Sequence, residues 1–529
     1  MELDSQRLGM ASIAVDPVDE TAAVVAVVGS RIKGVSCRRR ILGDGKESLV
    51  DCRLTCLGAA ERDLVIESAL ALLQRVGMRM PGARAMDALA AAGAHVDRET
   101  GVVRIPEDVV RAALATLPET MFIAGATPQQ DVRFDRRTGP FFNPSAAHAK
   151  TLDFRTGRLR ASTLQDIKEG TAVMDATPEL DLLWTFATAN DVPIEARELV
   201  EYYTFLTTST KPLVMVDCPT ETEAVKRIMD VLGDGPEGFR QRPRLGLLCA
   251  ARAPLAVNGA LIDAACEFAS LGAPIWTYTM PMSGATSPVT MGGTLALMWA
   301  ETLGMVTAIQ TAAPGTGVMA CCGPGVLDMR TSSMSLGSPE NTLMGVASVE
   351  IAHHLGLPVH NTALSTDAKH PGMQAGYEKG LKVLPAAMAG ADLISGGFGA
   401  LAASSVWHLP MVPIDAEVAR LVRRLVAETK IDRDSVMLDA IERVGIGGDY
   451  LKEKATRQLI RAGEHFAPTI GSRLPFEQWA ELGQTEVDVA REIVEQTLAA
   501  SEERARDGWT AELSADQVTA LADVCGVGR

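Results

Sequence analysis

The sequence predicts an α/β fold, a (β/α)8 (TIM) barrel that follows an N-terminal helical preface and precedes a C-terminal helical layer. First, seven short apolar runs rich in β-forming residues recur, with their starts 29 to 43 residues apart. Second, helix-like stretches fill the intervals, and strands that alternate with helices at this spacing favour a parallel sheet. Third, the runs are continuously apolar, which is typical of strands buried on both faces.

The elements of the barrel follow one another in a regular order. The predicted strands cover residues 182–189, 212–218, 245–250, 274–280, 317–322, 358–364 and 393–398, and a run at 139–144 supplies an eighth. Helices are predicted at 221–232, 258–271, 290–311, 341–355 and 374–388. Eight parallel βα units close naturally into a barrel. A doubly wound open sheet is the alternative, but no GxGxxG follows the first strand, so a dinucleotide-binding fold lacks its phosphate-binding signature.

The two ends of the chain lack the alternation of strands and helices. Residues 1–60 show no sustained period and predict an arm or a partly disordered leader. Residues 61–135 read as two helices, a short strand and a third helix, which we describe as a helical preface. The barrel is assigned to residues 136–415. Residues 416–529 are predicted to form a C-terminal helical region, with a packing or subunit surface.

Composition excludes several classes of function. Fifty Lys and Arg against 66 Asp and Glu give the 529 residues a net charge of −16, which argues against a partner that is nucleic acid or an anionic membrane. No apolar run is long enough for a membrane span, and the N-terminus lacks the pattern of a signal peptide. The nine cysteines are scattered without the paired spacing of a zinc site. Reduced thiols in a cytoplasmic protein are therefore expected.

Polar residues gather where the predicted strands end, and in a barrel the chemistry lies on those loops. Residues 282–290 form a small-residue loop that opens a helix, and residues 328–332 pair a carboxylate with a guanidinium. Ordinary capping and turn chemistry is the alternative for both loops. His360 ends a strand and His148 follows the first one, so both are candidates to line a pocket. No HExxH, GxSxG or GxxxxGK[ST] motif occurs.

Aromatic residues make up only 4% of the chain, yet several lie near predicted strand ends. A cluster of aromatic rings at a barrel mouth suits a cage for a quaternary ammonium group, held by cation–π attraction. The alternative is that each ring only fills the core. The rings concerned are Phe141, Phe142, Trp184, Trp276, Tyr278, Phe398 and Trp407.

A series of ordered motifs between about residues 75 and 499 carries a resemblance to a known family. They are LAAAGAHVD (89–97), VRIPED (103–108), NDVP (190–193), TSTKP (208–212), GATSPVT (284–290), DMRT (328–331), GSPE (337–340), TDAK (366–369) and QAGYE (374–378). On these motifs the chain resembles the trimethylamine methyltransferase family, including its non-pyrrolysine members such as glycine betaine:corrinoid methyltransferase.

The resemblance implies a (β/α)8 barrel and a methyl transfer from a methylated amine to the cobalt of a corrinoid on a separate protein. The chain has no DxHxxG motif of cobalamin-binding proteins, so the corrinoid is expected on a partner. Demethylation of a quaternary nitrogen releases a neutral amine and needs no general base at the methyl group. The site must supply orientation, desolvation and a cage for the cation.

The chain departs from the family at several positions. The trimethylamine enzymes carry pyrrolysine in the barrel, and its absence from this sequence favours a quaternary amine as substrate. Family members often show a His-Thr…His pattern near the C-terminal end, where this chain has Ala455 and Leu459. Where relatives tend to have a glutamate, this chain reads Val406-Trp407-His408. Each departure predicts a changed specificity if the position contacts substrate or partner.

Three functions remain open at this stage. The first is methyl transfer from a glycine betaine-like quaternary amine to a corrinoid protein. The second is the same chemistry on another betaine, a sulfonium compound or a methylated sulfur donor. The third, from a different class, is a divergent barrel that only binds a methylated cation. We also expect a homo-oligomer and no metal bound by this chain.

Individual residues receive expected roles under the first function. The catalytic candidates, which would orient the substrate or donate to its carboxylate, are Asp328, Arg330, Asp367 and Lys369. The substrate-binding candidates are Phe142, His148, Trp276, Tyr278, His360, Asn361, Gln374 and Glu378.

Overall fold

The computed structural model describes residues 34–41 and 48–528, except 137, 145–146, 216–221, 428 and 430. Its strands, in chain order, are β1 (Gly34–Ile41), β2 (Ser48–Thr55), β3 (Met78–Arg79), β4 (His95–Asp97), β5 (Val102–Arg104), β6 (Met121–Ile123), β7 (Val132–Phe134), β8 (Phe141–Pro144), β9 (Lys150–Leu152), β10 (Leu159–Ala161), β11 (Leu183–Trp184), β12 (Leu213–Met215), β13 (Leu245–Arg252), β14 (Ala256–Val257), β15 (Ile275–Thr279), β16 (Met282–Ser283), β17 (Val318–Cys322), β18 (Gly325–Asp328), β19 (Ser333–Ser335), β20 (Val359–Asn361), β21 (Leu393–Phe398), β22 (Ala400–Leu401) and β23 (Val406–Trp407).

The helices surround the strands on the outside. They are α1 (Ala59–Arg75), α2 (Ala83–Ala91), α3 (Glu107–Leu114), α4 (Leu164–Asp175), α5 (Ile194–Thr208), α6 (Thr222–Gly233), α7 (Pro236–Gln241), α8 (Gly259–Ser270), α9 (Met291–Ala312), α10 (Pro339–His354), α11 (Met373–Ala389), α12 (Met411–Val426), α13 (Arg433–Val436), α14 (Leu438–Val444), α15 (Lys454–Arg461), α16 (Phe476–Leu482), α17 (Glu486–Arg506) and α18 (Ala515–Cys525).

Eight parallel strands form a closed barrel. Parallel pairing runs β11–β12–β13–β15–β17–β20–β21–β8. The ring closes between β8 and the β11 segment, where His148 pairs in parallel with Ala187 and the Asp181 amide donates to the Phe142 carbonyl at 2.9 Å. The (β/α)8 barrel is confirmed, and the open doubly wound sheet is excluded. Each of the eight predicted strands overlaps one barrel strand, and β13 extends two residues beyond its predicted end. Residues 216–218 of one predicted strand lie outside the described residues.

Apolar helix faces cover the outside of the barrel, as the continuous apolar runs require. Helix α9 is the extreme case, because 17 of its residues are buried. It is the one helix of the described chain that has the length and hydropathy of a membrane span, and 89% of its apolar window is buried inside the protein. Helix α9 is therefore buried in the way that is typical of a core helix in a globular protein.

The region before the barrel contains the predicted helices α1, α2 and α3 and the predicted strand β5. Strands β4, β5 and β3 extend the barrel sheet through β14. The hairpin of β6 and β7 packs its apolar side chains into the lower end of the barrel, where the strands begin. Within the predicted arm, β1 and β2 form an antiparallel hairpin that the sequence did not reveal. Residues 1–33 and 42–47 lie outside the described residues, and the boundaries of the four regions remain predictions.

The region after the barrel is helical, as predicted. Helix α17 packs against α12 and α4, and α18 packs against α5 and α6. Between α12 and α17 the chain is much less buried. Of residues 431–484, only Ala440 and Ile470 are buried.

Candidate active site

Alternate residues of each barrel strand face the interior, and the strand pairing decides which ones. Leu393 pairs with Phe141, and both belong to an interior cluster with Met319, Cys321 and Trp276. Because side chains alternate along a strand, Asn143, His360 and Ser395 face the interior in the upper half. Their neighbours face the surrounding helices.

Three rings meet in the upper half of the interior. The ring of Trp184 lies 5.0 Å from that of His360 and 6.3 Å from that of Tyr278, measured between centroids. The rings of Tyr278 and His360 are 6.1 Å apart. Trp184 and His360 are fully enclosed, whereas Tyr278 is only half-buried. Tyr278 is therefore the member of this cluster that retains solvent-accessible surface.

Glycine at position 323 makes room for Tyr278. A Cβ atom there would lie 2.6 Å from the Tyr278 hydroxyl, closer than real Cβ contacts occur. The hydroxyl itself contacts the Met280 sulfur at 3.7 Å, and burial raises the pKa of the phenol, so it stays protonated.

Two buried histidines, His360 and His148, are neutral. Burial lowers the pKa of His360 to about 3 and that of His148 to about 4. His148 Nδ1 lies 2.5 Å from the Phe186 carbonyl oxygen and must donate to it, so Nε2 presents a lone pair. His360 Nε2 bonds to the Ser395 hydroxyl.

Several buried polar atoms of this region have no hydrogen-bond partner within the described part of the chain. They are His148 Nε2, His360 Nδ1, Trp184 Nε1 and both amide atoms of Asn143. A buried polar group without a partner costs about 1–3 kcal/mol, so such groups normally meet a ligand or ordered water. In the interior, aromatic faces, the neutral imidazole of His360 and the amide of Asn143 form an uncharged, polarisable environment. This environment suits a methylated cation and offers no carboxylate nucleophile or strong base.

Three of the sequence-predicted substrate-binding residues lie elsewhere in the barrel wall. Phe142 faces outward, where its ring packs against Phe398 at 6.1 Å and beneath the Arg423 guanidinium at 5.0 Å. Asn361 also faces outward, and a Cβ on Gly345 of α10 would lie 2.7 Å from its amide. Trp276 faces inward but in the lower half, where its ring packs edge-on against Phe134 at 6.4 Å. The structure does not bring these three to the upper cluster.

The loop after β20 is held by a network of predicted residues. The Glu378 carboxylate accepts hydrogen bonds from the Thr366 hydroxyl (2.5 Å), the Asp367 amide (2.7 Å) and the Gln374 side chain (2.8 Å). The Asp367 carboxylate accepts from the Ser335 hydroxyl and the Leu336 amide. Glu378, Gln374 and Asp367 thus join this loop to the β19 segment.

The remaining catalytic candidates are exposed on the rim of the barrel. The Arg330 side chain is 90% exposed and lies 3.4 Å from the Asp328 carboxylate. Hydrogen bonds from the Arg330 amide and side chain hold the pKa of the Asp328 carboxyl below its usual range. The ammonium group of Lys369 donates to the Asp367 carbonyl at 2.6 Å. These side chains stand at the entrance, apart from the interior rings.

A cavity of about 630 Å³ opens on the same rim. Its walls are small or apolar, and its polar side chains are two lysines and two serines. The loop after β21 forms one wall and runs through three consecutive non-glycine residues in the left-handed region, Ala402, Ala403 and Ser404 (φ 52°, 51° and 58°). Such strain persists only where surrounding contacts hold it. The Ala402 and Ala403 amides donate to carbonyls of residues 368 and 366. The cavity is lined by Ala147, Ala149, Lys150, Leu152, Leu159, Lys369, Ala402, Ser404, Ser405 and Val406.

Sequence reasoning omitted three interior residues from the expected site, namely Trp184, Asn143 and Ser395. Trp184 was visible as a ring near a strand end. Asn143 could have been found as a polar residue inside an otherwise apolar strand, since such a residue requires a partner. Among the described residues, no group of three or more His, Cys, Asp or Glu side chains could hold a metal ion.

Comparison with known proteins identifies relatives along most of the chain. The family model described as trimethylamine methyltransferase matches residues 49–519. The trimethylamine methyltransferase of Methanosarcina thermophila is 28% identical over 439 residues, covering 82% of this chain and 90% of that protein. The glycine betaine methyltransferase of Desulfitobacterium hafniense (strain Y51) is 26% identical over 418 residues, covering 78% of this chain and 86% of that protein.

One solved structure with a similar arrangement is the monomethylamine methyltransferase of Methanosarcina barkeri. The superposition covers 84% of this chain and 86% of that chain, with 12% sequence identity and a TM-score of 0.49.

Proposed function

Because the chain belongs to the trimethylamine methyltransferase family and is a methyltransferase, we propose that it moves a methyl group from a glycine betaine-like quaternary amine to a corrinoid carried by a separate protein. The observation that supports a quaternary amine as the substrate is the uncharged cluster of Trp184, Tyr278 and His360 inside the barrel. The corrinoid partner is inferred from the family resemblance and from the missing DxHxxG motif.

The cation is held by ring faces in this proposal. The methylated ammonium packs against the half-buried ring of Tyr278, with Trp184 and His360 behind it. A desolvated cation on an aromatic face gains about 2 kcal/mol. The neutral imidazole of His360 does not repel the positive charge, whereas a protonated histidine would.

The chemistry that a corrinoid supplies is a cobalt(I) nucleophile. On the side of this chain, the substrate nitrogen keeps the electron pair of the broken carbon–nitrogen bond and leaves as a neutral tertiary amine. No proton moves at the methyl group, so the site needs no base. Its residues orient the substrate and exclude water.

The positive charge at the rim would attract a substrate that carries a carboxylate as it enters the barrel. Lys150 and Lys369 line the rim cavity, and none of the cavity-lining residues is acidic. Arg330 is exposed on the same rim, with the half-buried Asp328 beside it, and is available to the protein partner. We also propose a cytoplasmic location, because the cysteines are scattered along the sequence without a regular pairing pattern.

The decisive experiment mixes the purified protein with a separately prepared, reduced corrinoid protein and follows methylcobalamin formation by absorbance. Glycine betaine should support the reaction, and trimethylamine should not. Methylation by trimethylamine alone, or by a dimethylsulfonium compound alone, would overturn the proposed substrate. No methylation with any of the three donors would overturn the proposed reaction.

A further inference from the structure

The upper interior of the barrel contains polar atoms that no described residue satisfies. Trp184 Nε1, His360 Nδ1 and both amide atoms of Asn143 are buried and have no hydrogen-bond partner in the described part of the chain. These three side chains, here named the polar cluster, are at most 1% exposed. The proposed reaction uses the ring faces of this region and gives these atoms no role. They need a separate explanation, since a buried polar group normally has a partner.

The polar cluster belongs to one sector of the barrel wall. His360 lies on β20 and Ser395 on β21, whereas Asn143 lies on β8 and Trp184 on β11. These four strands are consecutive in the closed ring. The rings of Trp184 and His360 come from the two outer strands of the sector and still meet, with their centroids 5.0 Å apart. The Asn143 amide, on a strand between them, therefore faces the same part of the interior.

The unmatched atoms are mostly donors. The indole nitrogen of Trp184 only donates, and the Asn143 amide has two N–H donors and one carbonyl acceptor. Among the described residues, His360 Nε2 is the one partner of the Ser395 hydroxyl. The hydroxyl therefore donates to Nε2, and the single proton of the neutral imidazole is on Nδ1. Four N–H groups thus accompany one acceptor.

An excess of donors favours a ligand that accepts hydrogen bonds. An ordered water brings two protons of its own and finds one acceptor here, the carbonyl oxygen of Asn143. A carboxylate brings two oxygens that only accept. Hydrogen bonds to a charged acceptor are also about twice as strong as those between neutral groups. The polar cluster therefore suits a carboxylate better than it suits water.

The absence of charge near the cluster restricts the kind of carboxylate. Among the described residues no charged group perturbs His360, because burial is the one cause that lowers the pKa of this side chain. A simple anion would lose its hydration here without a cation to balance it. A betaine carries its own ammonium group close to the carboxylate and enters as a neutral molecule. The uncharged cluster therefore fits a zwitterion.

Tyr278 gives such a zwitterion a direction. Its ring lies 6.1 Å from that of His360 and 6.3 Å from that of Trp184, and Tyr278 retains accessible surface. The Tyr278 hydroxyl makes a weak contact with the Met280 sulfur, so the ring is free to move as a ligand enters. With the carboxylate on the polar cluster, the ammonium group is left against Tyr278. Its methyl groups then point to the barrel mouth, where a corrinoid protein must approach.

We propose that Trp184 Nε1, His360 Nδ1 and the Asn143 amide bind the carboxylate of a betaine and so present its methyl groups at the barrel mouth. This inference rests on the proposed function and adds the orientation of the substrate. The bound carboxylate lies on neutral donors inside the barrel, and the lysines of the rim cavity attract it only during entry.

The test compares glycine betaine with tetramethylammonium, a methylated cation without a carboxylate, by isothermal titration calorimetry without a corrinoid. The wild type should bind glycine betaine more tightly. Asn143→Leu and Trp184→Phe should each raise the Kd for glycine betaine about 10-fold or more, since a hydrogen bond to a charged group is lost. The Kd for tetramethylammonium should change less than about threefold, because an aromatic face remains.

Trp299→Phe is the matched control. The Trp299 indole nitrogen is also buried without a partner among the described residues, but this side chain lies on α9, outside the barrel. The control should leave both dissociation constants unchanged.

A second measurement uses the wild type alone, in case a substitution disturbs the fold. In a nitrogen–proton correlation spectrum, one of the six tryptophan indole signals should move downfield on addition of glycine betaine and stay in place with tetramethylammonium. An indole spectrum that does not respond to glycine betaine would overturn the inference.

The inference would also fail if the wild type bound both ligands equally well or did not bind glycine betaine. Folded Asn143→Leu and Trp184→Phe proteins with wild-type affinity for glycine betaine would contradict it as well. Methylcobalamin formation from glycine betaine in those cases would leave the proposed function intact, so the two failures are distinguishable.

Discussion

His360 and Trp184 stack inside the barrel with their ring centroids 5.0 Å apart and their planes inclined by 39°. This contact requires an uncharged imidazole, because the surroundings contain no counter-charge among the interior residues described above. Burial keeps the imidazole uncharged by lowering the pKa of His360 to about 3. The same enclosed position makes the protein sensitive to acid.

The contribution of His360 to stability should fall as the pH is lowered from 7 to 5. The pKa of His360 is lowered in the folded chain from an ordinary value of 6.5, so the unfolded chain binds the proton preferentially between about pH 6.5 and 3. The stabilising contribution is complete above pH 6.5 and is lost as the pH falls through this window. His360 should account for about 2 kcal/mol of unfolding free energy between pH 7 and 5. Urea unfolding at several pH values measures it.

His360→Asn should reduce this pH dependence by that amount, whereas His95→Asn, at an exposed position, should leave it unchanged. An identical pH dependence in the His360→Asn protein would contradict a neutral, buried imidazole.

Removal of the Tyr278 ring should weaken binding of a quaternary ammonium ligand. We expect Tyr278→Leu to raise the Kd for glycine betaine about 10-fold, because about 1–2 kcal/mol of cation–π attraction is lost. Tyr278→Phe keeps the ring and should stay within about twofold of the wild type. Isothermal titration calorimetry gives both values.

Phe142→Leu is the matched control, because this ring packs on the outer side of the same barrel. Its affinity should be unchanged. Equal losses for Phe142→Leu and Tyr278→Leu would exclude a specific role of the inner ring.

A buried ion pair should dominate the stability of the barrel's outer layer. Lys379 Nζ lies 2.7 Å and 2.8 Å from the two carboxylate oxygens of Asp415, and both side chains are buried. Asp415→Ala leaves a buried lysine without its partner and should lower the free energy of unfolding by about 3–5 kcal/mol. The double variant Lys379→Met, Asp415→Leu should lose less than the single one. Chemical denaturation measures these differences.

The surface pair of Arg98 and Asp87 serves as the comparison, since both side chains are more than half exposed (58% and 67%). Arg98→Ala should cost less than about 1 kcal/mol. A cost for Asp415→Ala no greater than this would show that the buried pair is unimportant.

Glu378 should control the order of the loop after β20. Glu378→Ala removes the acceptor of three hydrogen bonds, so we expect a loss of about 1–3 kcal/mol and faster hydrogen exchange of the Asp367 amide. Glu340→Ala, at an exposed position on α10, should change neither quantity. Unchanged exchange at Asp367 in the Glu378→Ala protein would indicate that the loop is held by other contacts.

The architecture was predictable because the hydrophobic pattern is strong. Strands buried on both faces must be apolar throughout, so β21 at Leu393–Phe398 was located to the residue, and β15 and β17 to within one residue at either end. Because these strands are apolar throughout, the sequence does not show which side chains face the barrel interior and which face the surrounding helices. Phe142 and Asn143, or His360 and Asn361, differ by one position, and no alternation in the sequence shows which member faces the interior.

The loop residues were harder to interpret for a different reason. Gln374 and Glu378 bond to residues of the same loop and helix, whereas the Asp367 carboxylate binds the Ser335 hydroxyl, from a segment 32 residues away in the chain. Such contacts depend on the closed barrel and leave no local signal. The sequence predicted a packing or subunit surface within residues 416–529, but it did not show that the exposed apolar side chains would concentrate in residues 431–482.

The opposite facing of Phe142 and Asn143 also restricts how this protein can diverge. Loss or gain of a single codon within β8 would exchange the two side chains, so that a bulky ring would enter the interior and an amide would enter the apolar layer under α12. Descendants of this gene should therefore tolerate changes of length in the loops that follow the strands and vary the strands themselves by substitution alone. A library of single-residue deletions, scored for soluble protein, would map the barrel wall as a series of intolerant stretches.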